Sequence, residues 1–260
     1  MKCLTLDYDG TISPLDVSRT ESWVPLETRV MLAQIRRFLP IVVITMKDLP
    51  FVMPRTPFAH VWSGIGGLEM RIGKRTIKRD FLEDMLPSVV LALKYARSHI
   101  TCDGVEIEEK QDLEGHTVAF CIDWRYARNP KKAKSEVAPI ASYCKSLHLK
   151  LNRYQGQPFL DICAMPMNKG HAVQDALKEL GLKRGALYIG DSEADNPAFK
   201  IADMSLGVIH GENRSQELDC DYFVKFEDVA SFFKAFLADG LVFDPELPMI
   251  KKNRSRLKGC

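Results

Sequence analysis

No stretch of this 260-residue chain stays apolar for long enough to cross a bilayer. The longest such run, "FLPIVVITM" at 38–46, falls far short of the roughly 20 residues a spanning helix needs. Neither sign of charge dominates. Lys and Arg number 36 against 34 Asp and Glu, a formal net charge of +2, so bulk composition argues for neither a nucleic acid nor an acidic membrane as partner. The seven cysteines include no CxxC pair and no metal-finger spacing, which argues against a disulfide or zinc scaffold. Cys3, Cys121 and Cys163 fall in apolar strand-like runs, where a thiol serves as a small hydrophobe. A secretory leader is not expected, because Asp7 and Asp9 occupy the place of its apolar segment. The "NRS" triplets at 213–215 and 253–255 then carry no glycosylation reading. Internal repeats and low-complexity tracts are missing as well. These absences predict a cytoplasmic globular protein of one or two domains, in keeping with 46% apolar and 27% charged residues.

What is present is an alternation of strands and helices. Residues 2–6 read as a buried strand ending at Asp7, and "VPLETRVMLAQIRRFL" as a helix with Pro25 at its first position. "PIVVIT" at 40–45 is β-branched without alternation, as in a parallel strand covered on both faces. "HVWSGIGG" predicts a third strand and "LEMRIGKRTIKR" a hairpin. Near residue 80 the pattern becomes helix–strand–strand, twice over: "FLEDMLPSVVLALKYARSH" (despite Pro87), "VEIEEK", "TVAFCIDWR", "PKKAKSEVAPIASYCKSL", "LKLNRY" and "PFLDICA". That is the grammar of a small antiparallel sheet with helices on one face. After "MPMNKG" the alternation resumes through "HAVQDALKELGL", "ALYIGD", "ADNPAFKIA", "MSLGVI", "YFVKF" and a last helix around 227–239. The expectation is an α/β fold, a doubly wound Rossmann-like core at 1–79 and 161–260, interrupted by a small α+β module at 80–160. The basic tail "MIKKNRSRLKGC" reads as a solvated end.

Ligands of open parallel sheets bind beyond the carboxyl ends of the strands. Asp7 and Asp9 end the first strand, Thr45 the second and Asp191 the strand "ALYIGD", while Lys169 opens the helix after the inserted module. Brought together, these carboxylates repel unless a cation neutralises them, and hard oxygen ligands suit Mg²⁺. Lys169, the Thr45 hydroxyl and backbone N–H groups near Gly10 would add a trap for a phosphoryl group. In that setting Asp7 is a candidate nucleophile on phosphorus, and Asp9 a candidate acid and base for the leaving oxygen and the attacking water. His210 in "IHGEN" reads as a loop residue. Glycines at 64–67 lack the third glycine and helix context of a dinucleotide fingerprint.

"DYDGT" (7–11), Thr45 after an apolar strand, Lys169 in "NKG" and "GDSEADNPAF" (190–199) together resemble the four motifs of the haloacid-dehalogenase-like phosphatases. The resemblance implies Asp7 as nucleophile and Asp9 as acid/base. It also implies Mg²⁺ held by the Asp7 side chain, the Asp9 carbonyl and Asp191, with Asp195 supporting the metal. The inserted module has the place of a type-2 cap and is similar to that of trehalose-6-phosphate phosphatases. "GIGGLEM" (64–70) stands for their Gly-rich turn, Glu108-Glu109-Lys110 for a Glu-x-Lys strand, Trp124-Arg125 for an aromatic–Arg pair. "LDICAMPMNKG" matches their return segment, with Asp161 for Glu. In that family such cap residues contact sugar hydroxyls. The chain departs from the pattern at "TMK" in place of "TGR", at the missing histidine of the Gly-rich turn, and at Ser192 in place of a second acid.

The resulting expectation is a Mg²⁺-dependent phosphatase for a sugar phosphate, trehalose 6-phosphate first. Glycosyl-3-phosphoglycerate, sucrose phosphate and phosphoglycolate are alternatives, as is a phosphotransferase or phosphomutase using the same nucleophile. A catalytically silent phosphosugar-binding partner of a glycosyltransferase is the alternative from outside the enzymes. Two site readings also stay open beside simpler ones. Asp195 fits a helix-start acid favoured by the dipole, and Glu108, Lys110, Arg125 and Asp161 fit cross-strand ion pairs.

Overall fold

The computed structural model describes residues 1–15, 17–153, 157–211 and 217–253. The triplet at 213–215 and residues 254–260 of the basic tail lie outside them. In chain order the elements are β1 (Cys3–Leu6), α1 (Leu26–Ile35), β2 (Ile41–Ile44), α2 (Leu49–Val52), β3 (Val61–Gly64), β4 (Glu69–Ile72) and β5 (Arg75–Lys78). Then follow α3 (Leu82–His99), β6 (Glu106–Gln111), β7 (Thr117–Asp123), α4 (Pro130–Ser146), β8 (Lys150–Arg153) and β9 (Phe159–Cys163). The chain closes with α5 (Lys169–Glu179), β10 (Ala186–Gly190), α6 (Asn196–Ile201), β11 (Met204–Ile209), β12 (Tyr222–Lys225), α7 (Val229–Ala238) and β13 (Lys251–Lys252). Among the described residues no helix is long and apolar enough to cross a membrane.

Two compact units result. The first comprises Met1–Met46, Phe51–Ile77 and Asn168–Cys260, and the second Lys47–Pro50 and Lys78–Met167. The sheet of the first runs in the order β13-β12-β11-β10-β1-β2-β3-β4-β5. Its centre is parallel from β12 through β3, and the β3–β4 and β12–β13 pairings are antiparallel. Central strands carry no polar alternation because both faces are covered: Cys3, Leu4, Leu6, Ile41, Val43, Leu187 and Ile189 are all fully buried. The chain leaves β1 toward β2 on one side and pairs it with β10 on the other. That reversal opens a crevice at the carboxyl ends of the strands. α1 begins at Leu26 with Pro25 as its N-cap, one position later than expected; the fixed φ of proline suits either place.

The second unit is a four-stranded antiparallel sheet, β6-β7-β9-β8, with α3 packed on β7, α4 on β8 and the helices on each other. Val118, Phe120, Ile122, Leu160 and Ile162 are buried, as are Val89, Ala92 and Ala96 of α3 and Val137, Ile140 and Cys144 of α4. The boundary expected at 160/161 falls inside β9. That strand pairs with β7 along its whole length and with β8 from Leu160 on, so its hydrogen bonds hold it in this unit and the second unit runs to Met167. The six described cysteines are free thiols. Burial pushes Cys3 and Cys144 up to about 11, which keeps both protonated and inert at neutral pH.

Phe120 is fully buried at the centre of the β7 register. Phe120→Ala is expected to cost about 3–5 kcal/mol, read as a lowered urea midpoint. An unchanged midpoint would show that this sheet contributes nothing to the measured stability.

Candidate active site

Asp7 follows β1 directly, and its N–H donates to the Ile189 carbonyl at 2.9 Å, so it remains tied to the ladder with β10. It is buried, as are Asp191 after β10, Thr45 after β2 and Lys169 at the first position of α5. The helix start is fixed by Asn168, whose side chain accepts from the N–H groups of Gly170 (2.8 Å) and His171 (3.3 Å). That cap places the Lys169 ammonium 2.8 Å from Asp7 Oδ1 and 2.7 Å from Asp195 Oδ1.

Asp195 is fully buried and accepts from five donors. Oδ1 takes the Lys169 ammonium and the Tyr188 hydroxyl (2.6 Å). Oδ2 takes the N–H of Asp191 (3.1 Å) and both the N–H (3.0 Å) and hydroxyl (3.1 Å) of Ser192. A carboxylate has about four lone-pair directions, so these donors saturate it. Ser192 and Asp195 also form a reciprocal capping box, which makes the residue both a helix-start acid and a support for Asp191. Gly190 permits this closeness, since a Cβ there would lie 2.4 Å from Asp195 Cγ.

The Gly10 N–H donates to the Ser13 carbonyl at 2.8 Å. The position needs glycine for two reasons: φ is +72°, and a Cβ would lie 2.1 Å from Asp191 Oδ2. The Gly10 carbonyl faces His210 Nε2 at 2.6 Å, and the same nitrogen lies 3.9 Å from Asp191 Oδ2. His210, read from sequence as a loop residue, therefore belongs to this cluster. Its ring stacks on Phe226 with centroids 5.0 Å apart. The available signal was its place one residue beyond β11, at the same sheet edge as the acids. Thr45 is anchored through its backbone, donating to Ser63 O (3.0 Å) and accepting from Gly66 N (2.9 Å). Asp9 is half-buried and accepts from the Ser22 hydroxyl at 3.3 Å.

Oxygens of Asp7, Asp191 and Asp195 all lie within 4.8 Å of one another. Each ionised pair at that separation costs on the order of 3 kcal/mol at an effective dielectric of 20. Burial and then the neighbouring charges show the strain. Asp7 is pushed up to about 7 by desolvation, against the pull of Lys169. Asp191 rises well above the carboxylate range through burial and the charges of Asp7 and Asp195. Burial alone would lower Lys169, but Asp195 and Asp7 outweigh it and hold the ammonium charged. Hard oxygens in this number around one ammonium fit a divalent cation.

Within the second unit, register places Glu108, Cys121, Asp161 and Asn152 directly opposite one another, and Lys110 shares their face. Lys110 and Asp161 form a buried ion pair at 2.6 Å, and Glu108 lies 3.6 Å from Lys47. Burial alone would lower Lys110, but the charges around it, Asp161 foremost and Glu108 among them, together hold it well above its ordinary value. Arg125 lies beyond the end of β7, where its guanidinium pairs with Asp123, two residues back, at 2.7 Å.

A family model described as haloacid dehalogenase-like hydrolase matches residues 95–229, just over half of the chain, a span that includes Lys169, Asp191 and Asp195. Two Arabidopsis thaliana proteins, named probable trehalose-phosphate phosphatase D and trehalose-phosphate phosphatase B, are 25% and 24% identical over 215 residues. That is 75% of this chain and 55% and 54% of theirs, so the chain spans about half the length of the curated relatives it matches. Among solved structures, a trehalose-6-phosphate phosphatase related protein aligns with a TM-score of 0.75 at 17% identity, covering 92% of this chain and 99% of that one. The C-terminal domain of the C. albicans trehalose-6-phosphate phosphatase gives 0.65 at 15% identity, over 93% and 92%. Both likenesses establish the fold.

A pH dependence follows for protein kept free of divalent cations. Asp7 goes from an ordinary 3.8 to about 7 on folding, and Asp191 moves the same way, so the folded state keeps protons that the unfolded chain has released. The contribution of these two groups to stability then falls as pH rises from about 4 to about 7. In EDTA the melting temperature of the Asp7→Asn protein should therefore gain on that of the wild type across that range. A difference between the two that stays constant with pH would contradict the assigned strain.

Proposed function

The chain belongs to the haloacid dehalogenase-like hydrolase family, and on that premise we propose that it is a phosphomonoesterase acting on a sugar phosphate, trehalose 6-phosphate first. The observation that carries this reading is the Lys169 ammonium held between Asp7 and Asp195 at the carboxyl edge of the central strands. It leaves a nucleophilic carboxylate, a cation and further acids at one crevice.

Asp7 attacks phosphorus, forming an Asp7 O–P bond as the P–O bond to the sugar breaks. Asp9 gives its proton to the departing oxygen, which would otherwise leave as a poor alkoxide. In the second half Asp9 takes a proton from water, whose oxygen displaces Asp7 from phosphorus and restores the carboxylate. Lys169 and Thr45 balance charge on the transferring oxygens. Asp7 and Asp191, with the Asp9 carbonyl that the family pattern implies, would hold Mg²⁺, and the saturated Asp195 positions Asp191. When bound, that ion supplies the positive charge that lets Asp7 ionise and that offsets charge on the phosphoryl group. Glu108, Lys110 and Asp161, sharing one sheet face of the second unit, offer donors and acceptors for sugar hydroxyls. Arg125, paired with Asp123 at the end of the neighbouring strand, would add a further donor. The sequence relatives that carry a trehalose-phosphate phosphatase name support the choice of sugar.

Asp7→Asn is expected to abolish phosphate release while leaving circular dichroism unchanged, and EDTA to stop the wild-type protein until Mg²⁺ is restored. Near-normal turnover in that variant would sink the nucleophile assignment. Trehalose 6-phosphate, sucrose phosphate, glycosyl-3-phosphoglycerate and phosphoglycolate assayed side by side would identify the substrate. Glu108→Gln should raise KM for the preferred sugar phosphate about tenfold more than KM for 4-nitrophenyl phosphate, the worth of one hydrogen bond to a charged group. Equal changes in both would remove Glu108 from sugar recognition.

A further inference from the structure

Asp9 is held from a segment that the mechanism above does not use, the loop before α1. Ser22 in that loop is buried, and its hydroxyl donates to Asp9 Oδ1 at 3.3 Å. Ser22 Oγ also lies 2.8 Å from Ser13 Oγ, which is fully buried. A hydroxyl has one proton to give, so with Ser22 donating to Asp9 the Ser13 hydroxyl must donate to Ser22. The two serines thus make a directed relay that ends on the carboxyl of the acid/base.

Ser22 is itself immobilised from several sides. Its carbonyl accepts from the Tyr8 hydroxyl at 2.6 Å and from Arg55 Nε at 3.1 Å, and its N–H donates to Ser18 O at 3.0 Å. Arg55 is fixed in turn, stacked 3.9 Å over the Phe51 ring and 4.4 Å over Trp23, with one nitrogen donating to Phe51 O at 3.0 Å. Tyr8 meets the same Phe51 edge-on. Tyr8 is the residue between the two aspartates, so its ring anchors the strand end and the loop serine to one another. A serine needed only to close a loop has no use for a hydroxyl aimed at the acid/base.

We infer that Ser22 is a positioning residue for Asp9, setting which carboxyl oxygen carries the proton to the leaving group. With Oδ1 accepting from Ser22, the proton of the acid form belongs on Oδ2, and the relay from Ser13 keeps Ser22 from turning away. At 3.3 Å the bond is long for a hydroxyl on a carboxylate, and bonds of this kind tighten once substrate is bound. The inference rests on the phosphatase reading of the same site.

The test uses the whole chain with Mg²⁺ and two substrates of similar size, 4-nitrophenyl phosphate and benzyl phosphate. The nitrophenolate leaves without a proton, whereas the benzyl alkoxide needs one. Ser22→Ala should lower kcat/KM on benzyl phosphate about tenfold or more beyond its effect on 4-nitrophenyl phosphate, a fraction of what general acid catalysis contributes. Ser22→Thr, which keeps the hydroxyl, should restore the ratio. Equal losses on both substrates, or no loss on benzyl phosphate in a folded Ser22→Ala protein, would overturn the inference. Should Ser22→Ala fail to fold, Ser13→Ala is judged by the same ratio, since it removes the relay and keeps the loop. Wild-type protein inactive on both substrates would bring down the phosphatase reading and this inference with it; an active wild type with an unchanged ratio brings down the inference alone.

Discussion

The Lys169 ammonium, bonded to Asp7 on one side and Asp195 on the other, is the contact on which the site depends. Taking these ions out of water costs several kcal/mol each, and their attraction offsets the cost only when geometry and further hydrogen bonds are good. The structure meets that condition at Asp195, where Tyr188, Ser192 and the Asp191 backbone supply the remaining donors. Removing the ammonium would leave three buried carboxyls facing one another. The cap of α5, the capping box of Ser192 and Asp195, and the absence of a side chain at Gly190 all serve to bring one lysine to two acids.

Around that contact the acids are under-compensated. Burial and the neighbouring carboxylates push Asp7 up to about 7 and Asp191 well above the carboxylate range, so both ionise fully only where more positive charge arrives. Under the proposed reading, cation and phosphoryl binding are coupled to that protonation. The Asp191 carboxylate is placed by Gly10 as much as by its own strand, because no other residue leaves room for its oxygen. The loop Asp9–Ser13 is thus shaped by a residue nearly 180 positions away.

The second unit offers the opposite kind of electrostatics. Lys110 and Asp161 are paired, buried and on the same face as Glu108. A paired set of this type contributes little to stability against an apolar alternative, and is better suited to presenting fixed donors and acceptors. Arg125 is paired locally, with Asp123 two residues back.

Much of this was readable in advance. Strand ends are legible from unbroken β-branched runs, so Asp7, Thr45 and Asp191 could be set at one sheet edge, and Asn168-Lys169-Gly170 reads as a helix start. The module between β5 and α5 follows from its change of period, although its end was misplaced by a few residues because β9 continues as far as Cys163 in the same apolar idiom as the core. Less legible were partners from distant loops. His210 against the Gly10 carbonyl, the Gly10 N–H spent on Ser13, and Ser22 against Asp9 depend on where three unrelated loops come to rest. Sequence alone determined which chemical groups stand at the ends of the central strands, since periodicity and residue type act locally. Tertiary structure alone decided which of those groups touch, because a hydrogen bond is settled within a few tenths of an ångström and no local pattern carries that distance.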